Sequence, residues 1–268
     1  MDLAIWNTPP AEFLVSGLTS GAVDHPFAIK RFRPEVCAAR LVEGETDVAL
    51  LPTMLALQAS DAIDVVPSVG LVSWKYPFAR LAWMGGLHDF PETVAYDRRV
   101  AQERLLTRII LQEHYGKEPT FIPHDDVTPQ DLLATDADAA LLVGPNVPAL
   151  QLDAFTMDIG QQWYELAAYP MVWGLFVTRR DELTDAVTET LIAGGKAADE
   201  HRDVWAQANE TSGSLRTFYT EDVRTGIGKL ATASLTEFRQ YLFYYDVTDE
   251  IPDLPFVYLD EDTAASDE

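Results

Sequence analysis

Arg98 and Arg99 stand side by side just ahead of a stretch with helical spacing at residues 100–115. A helix N-terminus offers unpaired N–H groups and the positive end of its dipole. Two guanidinium forks at that place could hold a carboxylate through paired hydrogen bonds; equally, they read as a solvated charge pair with Glu103 nearby. Asn7-Thr8-Pro9-Pro10 follows the apolar run 3–6 and admits two readings. Its amide, hydroxyl and free N–H groups could face a ligand, or it is a plain strand-to-helix turn formed for local reasons. Lys75, within Ser73-Trp74-Lys75-Tyr76-Pro77, is either a cation for a ligand or a snorkelling surface residue. Asn146, in Gly144-Pro145-Asn146 after the apolar run 139–143, either hydrogen-bonds a ligand or shapes a turn. Trp163, Tyr164 and Trp173 read as core or wall rather than as a stacking platform. The chemistry these types offer is recognition of a small anion, above all a carboxylate.

Other chemistries find no support. There is no dinucleotide-binding glycine motif, phosphate loop, nucleophile elbow or zinc-protease motif, and no cofactor is implied. The five histidines are scattered without metal-ligand spacing. Cys37 is the only cysteine, so no disulfide can form within the chain, and among alanines it reads as a small buried hydrophobe. The formal charge is −24, with five lysines against fourteen arginines. Such a surface repels nucleic acid and anionic membranes. It reads as adaptation to high salt, where ions screen the self-repulsion, ahead of simple solubility. The acidic tail at 260–268 is expected to be disordered. No apolar run approaches the roughly 20 residues that span a bilayer. The first residues carry no basic or apolar leader pattern, so a cytoplasmic monomer or homodimer is expected.

The elements that must position these residues alternate. Runs 3–6, 27–32 and 47–51 read as strands, with helices at 11–18, 34–43 and 54–58 between and after them, and extended segments at 63–66 and 70–72. The grammar restarts with strands at 93–96, 120–122 and 139–143 and helices at 100–115 and 129–134. An apolar run at 171–177 returns to the first lobe, and the remainder reads as helical at 182–200, 220–228 and 234–245. This is the pattern of an α/β protein. Lobe 1 is expected at 1–88 and 174–268 and lobe 2 at 89–173. A chain that leaves one lobe and returns places strand ends across a ligand cleft.

Four segments carry a resemblance. Leu41-Val42-Glu43-Gly44-Glu45-Thr46-Asp47-Val48-Ala49-Leu50-Leu51-Pro52 resembles an L-x-x-G-x-x-D-V-A-L-I-P segment, and Asp138-Ala139-Ala140-Leu141-Leu142-Val143-Gly144 resembles D-A-A-L-L-I-G. Asp158-Ile159-Gly160-Gln161-Gln162-Trp163 is similar to D-L-G-x-x-W, and Tyr169-Pro170-Met171-Val172-Trp173-Gly174 to G-L-P-F-V-F-A. In this order, over residues 3–245, they resemble the menaquinone-biosynthesis MqnA/MqnD family. The resemblance implies a two-lobed, periplasmic-binding-protein-like (type II) α/β fold with an interlobe ligand cleft. It implies a chorismate dehydratase-like lyase of the futalosine pathway, which forms 3-enolpyruvylbenzoate by loss of water without a cofactor. Asn7 matches the asparagine of the family's N-terminal loop and is the catalytic candidate; Thr8, Lys75, Arg98, Arg99, Gln102 and Asn146 are the candidate substrate-binding residues. The departures are specific. Val100-Ala101-Gln102-Glu103 stands near where the family has S-R-T-S, Pro145 replaces an aspartate, and a serine within 74–80 is replaced. A small-carboxylate-binding protein on the same scaffold, non-catalytic or differently catalytic, is therefore the alternative.

Overall fold

The computed structural model describes residues 1–84, 90–209, 211 and 213–256. The acidic tail at 260–268 lies outside them. The strands in chain order are β1 Asp2–Trp6, β2 Ala28–Phe32, β3 Val48–Pro52, β4 Ile63–Ser73, β5 Ala79–Trp83, β6 Thr93–Asp97, β7 Thr120–His124, β8 Ala139–Val143, β9 Phe155–Asp158, β10 Met171–Arg179 and β11 Val223–Gly226. They form two compact units. The first holds Met1–Val72, Val172–Trp205 and the chain from Arg224; the second holds Ser73–Met171 and Ala206–Val223.

The sheet of the first unit runs β11-β4-β10-β3-β1-β2. β1 pairs in parallel with β2 and β3, and β10 returns antiparallel to β3. Its central strands are apolar at nearly every position, as strands covered on both faces must be. The 41–52 segment explains itself locally. The helix Pro34–Val42 ends at Gly44, whose φ of +74° suits a residue without Cβ. Glu45 N–H donates to the Arg40 carbonyl (2.8 Å) and Gly44 N–H to the Leu41 carbonyl (3.1 Å), the paired bonds of a glycine C-cap. Asp47 then receives the Asp2 N–H on its carboxylate (2.6 Å) and sets β3 beside β1.

The sheet of the second unit runs β7-β6-β8-β5-β9. Asp138, at the head of the 138–144 segment, accepts from the Glu92 and Thr93 N–H groups and the Thr93 hydroxyl (3.1, 2.9 and 2.8 Å), tying the start of β8 to β6. The helix Ala101–Ile109, continued by one wider turn at Ile110–His114, buries Leu105, Leu106, Ile109 and Ile110 on the face expected from their spacing.

Two assignments from the sequence change. Residues 73–84 do not belong to the first lobe: β5 pairs with β8 and β9 in the second sheet. Nor is 220–228 a helix. A wide turn at Phe218–Asp222 leads into β11, where Val223 and Thr225 are buried and alternate with more exposed neighbours, so that β11 edges β4. The second unit keeps Phe218 and Tyr219 because they pack edge-on against Tyr76 and Phe78. No helix among the described residues is long and apolar enough to cross a membrane.

Candidate functional site

In the first unit, β1 ends at Trp6 and the chain turns through Asn7 into the helix Pro9–Leu14. Asn7 N–H donates to the Phe32 carbonyl (3.0 Å), which fixes the backbone. Its side chain is exposed and makes no hydrogen bond among the described residues. Thr8 is extended (φ −138°) and its carbonyl accepts from Glu12 N–H (3.0 Å), yet its hydroxyl caps nothing and is closed off without a partner. Pro9 and Pro10 lack N–H groups, so the first turn offers few backbone donors. Trp6 Nε1 is likewise buried without an acceptor. An unmet donor inside a protein costs about 1–3 kcal/mol.

In the second unit the arginine pair is turned toward acid. The Arg99 guanidinium bonds both oxygens of Asp97 and also Asp126, and Arg98 meets Asp125 at 2.8 Å with both side chains exposed. Burial raises the Asp97 carboxyl, but the bonds from Arg99 outweigh it and hold the group below the usual range. Neither arginine pairs with Glu103. Gln102, in the first turn of the helix, is buried. Glu103, one residue on, has no cation against it among the described residues, and only its own backbone N–H favours its charged form. Burial pushes its carboxyl up to about 7.

The 158–163 segment positions the neighbour of Glu103. Asp158 caps the helix Ile159–Ala167 by accepting from Gln161 N–H (2.9 Å) and also accepts from Tyr76 N–H (2.8 Å). Burial raises its carboxyl, with these two N–H groups acting against it. A Cβ at Gly160 would lie 2.8 Å from Tyr76 N and 2.9 Å from the Lys75 carbonyl carbon, so only glycine lets that loop seat here. Tyr76 is thereby fixed where burial, the charge of Glu103 and Tyr219 all raise its hydroxyl, which stays protonated. Lys75 is exposed, its ammonium 3.8 Å from Asp222. Asn146 is exposed after Gly144 (φ +138°), and its carbonyl closes a single 3-10 turn at Val147–Ala149.

The structure thus brings Lys75, Gln102 and Glu103 into one unit with Tyr76, and keeps Asn7, Thr8 and Trp6 together in the other. Trp6 looks like core because it is an aromatic at a strand end, and Tyr76 reads in the sequence only as one of the aromatics around Lys75. Glu103 was read only as a companion of the arginines. Its one available signal was the absence of a basic residue at the helical neighbours Leu106 and Thr107. Cys37 is fully buried, and burial followed by the nearby Glu35 charge pushes its thiol up to about 12, so it is unreactive.

Two α/β units built on sheets that the chain enters twice define a class, the periplasmic-binding-protein-like fold. The chain superimposes on the protein AF1704 of Archaeoglobus fulgidus with a TM-score of 0.68 at 16% identity, covering 92% of this chain and 98% of that one. It matches the aliphatic sulphonate binding protein SsuA of Escherichia coli (TM-score 0.61, 13% identity, 95% of each chain). It also matches the Candida albicans CA3427 product, described as having the generic periplasmic binding protein fold (TM-score 0.59, 13% identity, 98% of each chain). At such identities the likeness is one of fold. Within that class the particular family is set by sequence: residues 1–244 match the menaquinone biosynthesis family model, and the chain belongs to that family. Comparison with curated proteins gives no match.

Proposed function

We propose that the protein is a carbon–oxygen lyase of menaquinone biosynthesis by the futalosine pathway. It would take water from chorismate, or a closely related cyclic carboxylate, to leave 3-enolpyruvylbenzoate. The observation that carries this reading is the match of residues 1–244 to the menaquinone biosynthesis family. Glu103, a partly buried carboxyl without a cation among the described residues, in the first turn of a helix, is the candidate base, pushed up to about 7 by desolvation. Loss of water needs a base for a ring proton, and a carboxylate with an affinity near the working pH is suited to that task. The C–H electron pair becomes the new double bond, the C–O bond breaks, and the departing hydroxide takes a proton to leave as water. Asn7, whose amide is uncommitted, supplies hydrogen bonds to the substrate. Thr8, Gln102 and Asn146 add polar contacts, and Lys75 adds positive charge for a carboxylate. Arg98 and Arg99 have their charge answered by aspartates and contribute least.

A second reading has its own support. The hydroxyls of the family's S-R-T-S segment are replaced here by Val100, Ala101, Gln102 and Glu103, and the family's aspartate by Pro145. A small-carboxylate-binding protein fits those losses, and a fold neighbour is named for binding aliphatic sulphonates. Incubation with chorismate in low and multimolar KCl separates the two. Formation of 3-enolpyruvylbenzoate supports the lyase; thermal stabilisation by chorismate without turnover supports the binder. Under either reading we place the protein in the cytoplasm as a monomer or homodimer with a small anionic ligand and no cofactor.

A further inference from the structure

Two donors flank Asn7 that the fold itself leaves unused. Trp6 is 5% exposed, and neither its Nε1 nor the Thr8 hydroxyl has a protein partner. The indole is held in place rather than loosely packed. A Cβ at Gly174 would lie 2.6 Å from its Cη2 and 2.9 Å from its Cζ2, so the ring rests on the bare backbone of β10. Trp6 is also set in register against Phe32 on β2. An indole N–H can only donate, so whatever answers it must be an acceptor. Thr8 stands where a hydroxyl ordinarily caps a helix, and it caps nothing.

We propose that Trp6 Nε1 and Thr8 Oγ1 are ligand-binding donors, which take acceptor oxygens of a small carboxylate on either side of Asn7. This rests on the ligand class proposed above and not on the elimination chemistry. Trp6 becomes a recognition residue, and Gly174 the residue that makes room for it.

The test uses the full chain. Trp6→Phe keeps a ring against Gly174 and removes the donor; Thr8→Val removes the hydroxyl at similar volume. The indole 15N–1H signal of Trp6, assigned through the backbone and by its loss in Trp6→Phe, is followed during titration with chorismate and with benzoate. The expected result is a downfield shift on binding, with Kd for chorismate raised about tenfold in each variant, or about 1.4 kcal/mol. An indole signal unmoved by both compounds, or variants that bind as tightly as the parent, overturns the proposal. If Trp6→Phe does not fold, the wild-type titration decides alone. A moving indole signal without turnover sinks the lyase and spares the donor pair; turnover with an unmoved signal does the reverse.

Discussion

Glu103 and Arg99 lie four residues apart and end in opposite electrostatic states. Arg99 has Asp97 and Asp126 around it, whereas Glu103 is partly buried and has no cation among the described residues. The consequence for Glu103 has a definite sign. Its folded-state affinity for a proton is raised from an ordinary 4.5 to about 7, so the fold holds that proton more tightly than the unfolded chain does. The stability tied to it is full below about pH 4.5 and is lost as the pH climbs through about 7. The effect is at most about 3 kcal/mol. Melting curves from pH 4.5 to 7.5 should therefore fall more steeply for the parent than for Glu103→Gln. If Glu103 is the base, turnover should rise through an inflection near pH 7, and Glu103→Gln should lose about 10²- to 10⁴-fold in kcat. A variant with full turnover would remove Glu103 from the chemistry. Asn7→Ala should abolish turnover with little change in Tm, since the side chain is exposed and unbonded; unchanged turnover would take Asn7 out of the mechanism.

At the scale of elements, two glycines serve different ends. Gly44 is needed for its backbone angle, and Gly160 for space. Gly44→Ala should cost about 1 kcal/mol, the ordinary penalty for Cβ in a left-handed turn. Gly160→Ala meets backbone at 2.8 Å and should cost about 1–3 kcal/mol through overpacking. The two changes should also differ in reach. Gly160→Ala displaces the loop that carries Lys75 and Tyr76 and should lower both Tm and ligand affinity. Gly44→Ala should lower Tm alone. Equal ligand affinity in both variants would show that the seating of the loop on Gly160 is irrelevant to binding.

Over the whole molecule the net charge of −24 governs behaviour in solution. Acids outnumber lysine and arginine by 43 to 19, and bulk ions would screen their repulsion. The melting temperature should climb steadily from dilute buffer to multimolar KCl. A flat series would reduce the acidic surface to a solubility feature. Salt should act less on half-buried groups such as Asp158, whose carboxyl accepts from backbone N–H groups, than on the exposed acids.

What the sequence by itself determined is what short-range physics decides. The glycine stop after the helix Pro34–Val42, the apolar face of the 100–115 helix and the buried run of β3 follow from spacing along the chain, and the four ordered segments led to the family. The segments proved to be architecture. Asp47 and Asp138 tie neighbouring strands, and Asp158 with Gly160 seats a loop. Only the tertiary structure decided the pairing of β5, β9 and β11, because a short strand is stabilised by partners far off in the chain. It also decided which charges are answered. Arg98 and Arg99 looked available until Asp125, Asp126 and Asp97 folded against them. Glu103 looked answered until the fold half-buried it without pairing it to either. A side chain's proton affinity and its unmet hydrogen bonds depend on what the fold brings near, and residue order alone does not contain that.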